Sequence, residues 1–153
     1  GLFLGRRVIL TPSENTSPRA LELTKSLWEG LGARVSEMDS IRHDAVLAAT
    51  SHLPHVLSFA LTAMLGRHDE QQDILAYAAG GLRDFTRIAG SDPAMWRDIS
   101  LANRDQILPL IEEYRVALGD VAEMIKLGDS DRLVQLFADA RAARQRFIDQ
   151  LDN

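Results

Sequence analysis

Strand signals in this chain stop at residue 38, and that boundary constrains the fold more than any other feature of the sequence. Arg7-Val8-Ile9-Leu10-Thr11-Pro12 reads as a short buried strand, because the run is apolar and β-branched and Pro12 stops it. Thr16 or Ser17 can cap the helix that follows, with Pro18 at its first position. Leu23, Leu27 and Leu31 then recur at i, i+4 and i+8, and Gly30 or Gly32 closes the helix. Ala33-Arg34-Val35-Ser36-Glu37-Met38 alternates as a second strand. Two strands do not stand as a sheet alone. Residues 1–38 are therefore expected to be the C-terminal end of a larger α/β domain whose sheet is completed elsewhere.

Residues 39–153 carry only helical pattern. Ser40 is expected to cap a long helix through Ile41, Ala45, Ala48 and Ala49. Pro54 should kink or break it, since proline removes a backbone donor and clashes with the preceding turn. Helical spacing resumes through Val56, Phe59, Ala60 and Ala63, and Arg67 to Gln72 reads as a polar connection. A short helix from Asp73 to Ala78 leads to Gly80-Gly81. Asp92-Pro93 is a strong helix start: an acceptor at the cap, then proline at the first helical position. Ile107, Ile111, Tyr114, Leu118, Val121 and Ile125 repeat at spacings of four and three, a coiled-coil-like stripe. Gly128 ends that helix, and Asp129 or Ser130 caps the last one, whose stripe is Leu133, Leu136, Ala140, Ala143, Phe147 and Leu151. The expected fold class is mainly α, an all-helical domain preceded by a short strand-helix-strand.

Composition removes several functions. The net charge of -5 disfavours nonspecific nucleic-acid binding, which needs a basic surface. The absence of cysteine excludes disulfides, thiolate metal sites and thiol catalysis. No apolar run approaches the roughly 18 residues that cross a bilayer, and no export signal is visible, so neither membrane nor nucleic acid is an expected partner and a cytoplasmic location is expected.

Two clusters carry the chemistry. The stretch from Gly80 to Asp98 concentrates arginine, aspartate, glycine and Trp96 between apolar helical patterns. Surface loops seldom combine tryptophan and arginine without binding something. Gly80-Gly81 lets backbone approach a ligand closely, or it is a helix C-cap and turn. Arg83 and Arg87 share a helical face, and the planar fork of either suits a carboxylate bidentately; the plainer alternative is a solvated surface with intrahelical pairs. Ser51-His52-Leu53-Pro54-His55 is the second cluster. His52 and His55 share a face if the helix persists to Pro54, forming a hydrogen-bonding or cationic wall for an anion; a buried histidine bonded to backbone is the alternative. His43 lies too many turns from His55 to complete a metal site, and no His-Glu-x-x-His pattern occurs, so no metal is expected. Gly30-x-Gly32 lacks a third glycine and ends a helix rather than opening one, so no dinucleotide fingerprint is present.

The residues Val8-Ile9-Leu10-Thr11-Pro12, Ser51-His52-Leu53-Pro54-His55, Asp84-Phe85-Thr86-Arg87-Ile88-Ala89, Ser91-Asp92-Pro93 and Met95-Trp96-Arg97-Asp98, in that order and spacing, resemble the prephenate dehydrogenase family. The resemblance implies an NAD- or NADP-dependent oxidative decarboxylation of prephenate, or arogenate, in tyrosine biosynthesis. It further implies that residues 1–38 end a Rossmann domain and that 39–153 form a helical substrate-binding and dimerisation domain. The cofactor loop and the histidine that accepts the hydroxyl proton are expected upstream of Gly1, so no catalytic residue is assigned in this chain and the chain alone is expected to be inactive. By resemblance, Arg87 clamps a substrate carboxylate, His55 is a substrate-side polar group, Ser51 lies toward cofactor and ring hydroxyl, His52 belongs with them to the substrate-binding set, and Gly80 and Trp96 reach the pocket of a neighbouring subunit. A homodimer is implied, with tyrosine as a candidate inhibitor. The alternative is a noncatalytic helical dimerisation module that senses a small aromatic acid such as tyrosine.

Overall fold

The computed structural model describes residues 1–151, the side chains of Leu75 and Leu151 excepted; Asp152 and Asn153 lie outside the described residues. Two short strands, β1 (Arg7–Leu10) and β2 (Arg34–Glu37), pair in parallel with Val8 opposite Val35. The crossover between them is α1 (Pro18–Gly30). Gly32 takes φ of 87°, and a Cβ there would sit 2.9 Å from the Leu4 side chain, so the tight return into β2 requires glycine.

The leucine spacing in α1 marks a different face from the one that packs. Leu21 and Trp28 turn inward, and Trp28 meets Phe3 edge-on at 5.1 Å. Leu23 and Leu27 stay 70% and 60% exposed, and Leu31 is also exposed. A helix that crosses between parallel strands normally covers a wider sheet; with two strands, only one side of α1 has anything to cover.

The helices that follow are α2 (Ser40–Leu47), α3 (Leu53–Leu65), α4 (Gln71–Ala76), α5 (Gly80–Thr86), α6 (Pro93–Ala102), α7 (Arg104–Leu127) and α8 (Ser130–Leu151). Asp39, not Ser40, caps α2: its carboxylate accepts from the N–H groups of Ile41 and Arg42. Asp92 caps α6 through the Met95 N–H at 2.8 Å, and Asp129 caps α8 through that of Arg132. Gly80 and Gly81 open α5 rather than close a helix.

Pro54 neither breaks nor ends the helix that contains it. A five-residue π-helical turn, Ala48–His52, joins α2 to α3, and the Leu53 N–H reaches back five residues to the Ala48 carbonyl. The widened turn makes room for a proline at the start of α3, where its missing N–H costs least. This continuity also corrects the expectation that no apolar segment reaches bilayer length. Ser40–Leu65 forms a helical run of 26 residues that is long and apolar enough to do so by length and composition.

The chain forms two compact units, Gly1–Leu110 and Ile111–Asn153, and position 38/39 lies inside the first, at the turn between β2 and α2. In the second unit, Leu118 and Ile125 from the stripe of α7 are exposed, as are Phe137 and Phe147 of α8. Glu112 pairs with Arg115 and Glu123 with Lys126, each one turn apart on α7.

Candidate functional site

The π-helical turn and the first turn of α3 bring both histidines of the Ser51–His55 cluster onto Trp96 of α6. The His55 ring stacks on the indole at 3.6 Å between centroids, 16° from parallel. The His52 ring meets the same indole edge-on at 6.2 Å and 74°. The edge-on contact is a favoured arrangement of a π-face, and the stack is a close, nearly face-to-face one. Trp96 is only 8% exposed. Within the protomer it packs against both imidazoles. Its Nε1–H is buried and has no protein acceptor among the described residues. A cavity of about 230 Å³ lies beside it, lined by Val56, Phe59, Pro93, Trp96, Arg97 and Ser100.

Hydrogen bonds hold the two imidazoles in different states. His55 Nδ1 lies 2.8 Å from the Ser51 carbonyl oxygen. A carbonyl only accepts, so Nδ1 of His55 carries a proton. Ser51 thus enters the cluster through its backbone. His52 Nδ1 lies 3.0 Å from Nδ2 of Asn103, whose amide also donates to the Asp44 carbonyl at 2.8 Å. Burial holds the His52 pKa below the ordinary 6.5; His43 and His55 act in the same direction, and Asp44 opposes them.

Arg87 begins a 3-10 turn, Arg87–Gly90, directly after α5. One hydrogen bond ties the helix before this turn to the histidine helix, and another closes the turn on itself. Ser58, fully buried in the middle of α3, donates to the Phe85 carbonyl at 2.9 Å. The Ser91 hydroxyl closes the turn on the Ile88 carbonyl at 2.8 Å. The Arg87 guanidinium itself is exposed and has no acidic partner among the described residues, while Arg83 faces Asp84 at 4.0 Å. Arg87 is thus the uncommitted cation on this face. Gly80 is exposed at the start of α5, with open space where a Cβ would lie, and the structure does not bring it to the histidine–tryptophan cluster.

Asn103, Ser58 and Asp44 escaped the sequence reading. Ser58 had a visible signal, as the lone small hydroxyl in the apolar run Val56-Leu57-Ser58-Phe59-Ala60. Asn103 had only its position between two helical patterns.

The histidine–tryptophan cluster thus lies in a helical unit, and the long helices that follow expose large apolar side chains. Residues 39–139 match the family described as prephenate dehydrogenase, dimerization domain. The chain belongs to the prephenate dehydrogenase family. It is 37% identical over 145 residues to the cyclohexadienyl dehydrogenase of Zymomonas mobilis, which covers 94% of this chain and 50% of that protein. It is 36% identical over 144 residues to the prephenate dehydrogenase of Bacillus subtilis, over 94% of this chain and 39% of that one. Among solved structures, it resembles prephenate dehydrogenase from Aquifex aeolicus in complex with hydroxyphenyl propionate and NAD+ with a TM-score of 0.86 and 38% identity, covering 95% of this chain and 51% of that one. Synechocystis arogenate dehydrogenase follows at a TM-score of 0.82 and 26% identity, over 95% and 54%. The chain spans about half the length of these relatives, or less.

The glycines of the strand-helix-strand do not follow the pattern of a dinucleotide-binding loop. Gly30 and Gly32 lie at the C-terminal end of α1, and Gly32 is occupied with the return past Leu4. Phosphate binding in such units uses glycines at a helix N-terminus instead.

Proposed function

We propose that this chain is the substrate-binding and dimerising part of a prephenate or arogenate dehydrogenase. The parent enzyme would carry out NAD- or NADP-dependent oxidative decarboxylation on the route to tyrosine. The observation that carries the reading is that Arg87 follows directly on α5, whose Phe85 carbonyl is bonded by Ser58 to the helical run that holds His55 and His52 against Trp96. Prephenate has two carboxylates and a ring hydroxyl, and it needs a fixed cation together with neutral hydrogen-bonding groups in a dry pocket. The likeness to an Aquifex enzyme solved with hydroxyphenyl propionate and NAD+ supports the choice of substrate class.

Residues 1–38 read as part of an α/β cofactor domain. The exposed leucine face of α1 and the two-stranded sheet support this, since both await further sheet. The large apolar side chains exposed on α7 and α8 support a homodimer, since exposed apolar surface of this kind marks an association surface.

Calorimetry of the 153-residue chain with prephenate, tyrosine and NAD in turn tests the proposal. Binding of prephenate without NAD binding or turnover is expected. Tyrosine binding with no prephenate binding would make the chain a sensor instead, and NAD turnover would overturn the assignment of cofactor chemistry to other residues.

A further inference from the structure

We propose that Asn103 is a positioning residue: from the junction of α6 and α7 it holds the His52 ring as the tautomer with its proton on Nε2, so that this ring meets a ligand as a hydrogen-bond donor. The identity of that ligand rests on the functional reading above, but the tautomer does not.

The argument runs through the amide. Asn103 is 9% exposed, and its backbone is fixed at both ends, with its N–H on the Ile99 carbonyl and its own carbonyl accepting from Ile107. Its side-chain Nδ2 lies 2.8 Å from the Asp44 carbonyl oxygen. That oxygen accepts only, so the amide cannot be turned over without setting two oxygens against each other. Nδ2 therefore faces His52 as well, and its second hydrogen points at Nδ1 across 3.0 Å. Two donors cannot share that contact. Nδ1 of His52 is the acceptor, and the ring proton sits on Nε2.

The same geometry resists a second proton. Protonation at Nδ1 would face one N–H with another, and turning the amide over to relieve this would break the Asn103 bond to Asp44. The charged groups acting on the ring are His43 and Asp44 of α2 and His55 of α3; Asn103 brings no charge from its side. The neighbouring His55 is held the opposite way, with its proton on Nδ1 facing the Ser51 carbonyl. Neutral His52 thus offers a donor at Nε2, while neutral His55 offers an acceptor at its own Nε2. Two identical side chains become a complementary pair because their partners differ.

Long-range proton–nitrogen NMR of the uniformly 15N-labelled chain reads the tautomer directly and needs no substitution. The expected result is a pyridine-type Nδ1 and a pyrrole-type Nε2 for His52, with the reverse for His55. A protonated Nδ1 on His52 would overturn the proposal. Asn103→Asp places a carboxylate where the amide stood; it should transfer the His52 proton to Nδ1 and raise the titration midpoint by about one pH unit. Asn103→Ala should leave both tautomers populated. A His52 tautomer unchanged in folded Asn103→Asp would also overturn the proposal. Adding prephenate should shift the wild-type Nε2 resonance, and an unmoved Nε2 in a prephenate complex would overturn the donor role. Failure of prephenate to bind at all, with the tautomers as stated, would support the Asn103 assignment and defeat the functional reading instead.

Discussion

His55 and Trp96 form one stacked unit, with ring centroids 3.6 Å apart and planes within 16°. The stack joins α3 to α6 and fixes the rotation of the imidazole together with the Ser51 carbonyl. Trp96→Ala removes the indole from under both histidines and leaves a cavity; a loss of about 3–5 kcal/mol of folding free energy is expected. Trp96→Phe keeps an aromatic face and deletes the unpartnered Nε1–H, so its cost should be well below that of alanine. Urea denaturation of the two variants checks the order, and equal losses would contradict it.

Ser58 bonds α3 to the last turn of α5, two residues before Arg87. Ser58→Ala should cost about 1 kcal/mol, because it leaves the Phe85 carbonyl without its donor in a part-buried position. It should also weaken substrate binding, since the turn that carries Arg87 loses its anchor. Denaturation and calorimetry on the same preparation check both. Full stability with undiminished binding would show that the bond positions nothing.

Stability should fall on mild acidification through His52. The ring is neutral in folded and unfolded chain alike above the ordinary value of 6.5, so it contributes no pH dependence there. As the pH drops below that value, the unfolded ring takes up a proton before the folded one, whose pKa is lowered by burial. The unfolded state then binds more protons, and stability declines until the folded ring also titrates. Denaturation midpoints measured between about pH 7.5 and pH 5 should fall in the wild type and fall less in His52→Asn. The same slope in both would remove His52 as the cause.

The helical identity of residues 39–151 was legible because apolar spacing and proline caps are local signals, as Asp92-Pro93 shows. The strands were legible for the same reason. Three features depended on tertiary context. The π-helical turn before Pro54 arises from accommodating a proline within a continuing helix, and proline alone reads as a break. The packing face of α1 depends on what sheet lies beneath it, so the Leu23-Leu27-Leu31 spacing pointed to the face left open. The roles of Asn103 and Ser58 depend on partners 59 and 27 residues away, beyond the reach of any spacing rule. The histidine pair and Arg87 were found in the sequence from residue type and from resemblance; their tautomers and the Trp96 stack were not.

Self-association should run through the stripes of α7 and α8. Leu118→Glu with Ile125→Glu places two charges on an exposed apolar face, so the single-chain fold should survive while association weakens at least tenfold. Sedimentation equilibrium distinguishes the outcomes. A wild-type chain that stays monomeric at high concentration would contradict the dimer, and an unchanged dimer in the double variant would place its interface elsewhere.

Binding of prephenate to the chain before and after Arg87→Ala tests the account most directly. The guanidinium is exposed and uncommitted in the free protomer, so its removal should leave folding intact. It should cost about 2 kcal/mol of binding, roughly thirtyfold in Kd, because a carboxylate loses its charged partner. Equal Kd values for the wild type and Arg87→Ala would show that the cation clamps nothing, and the reading of this face as a prephenate pocket would fall.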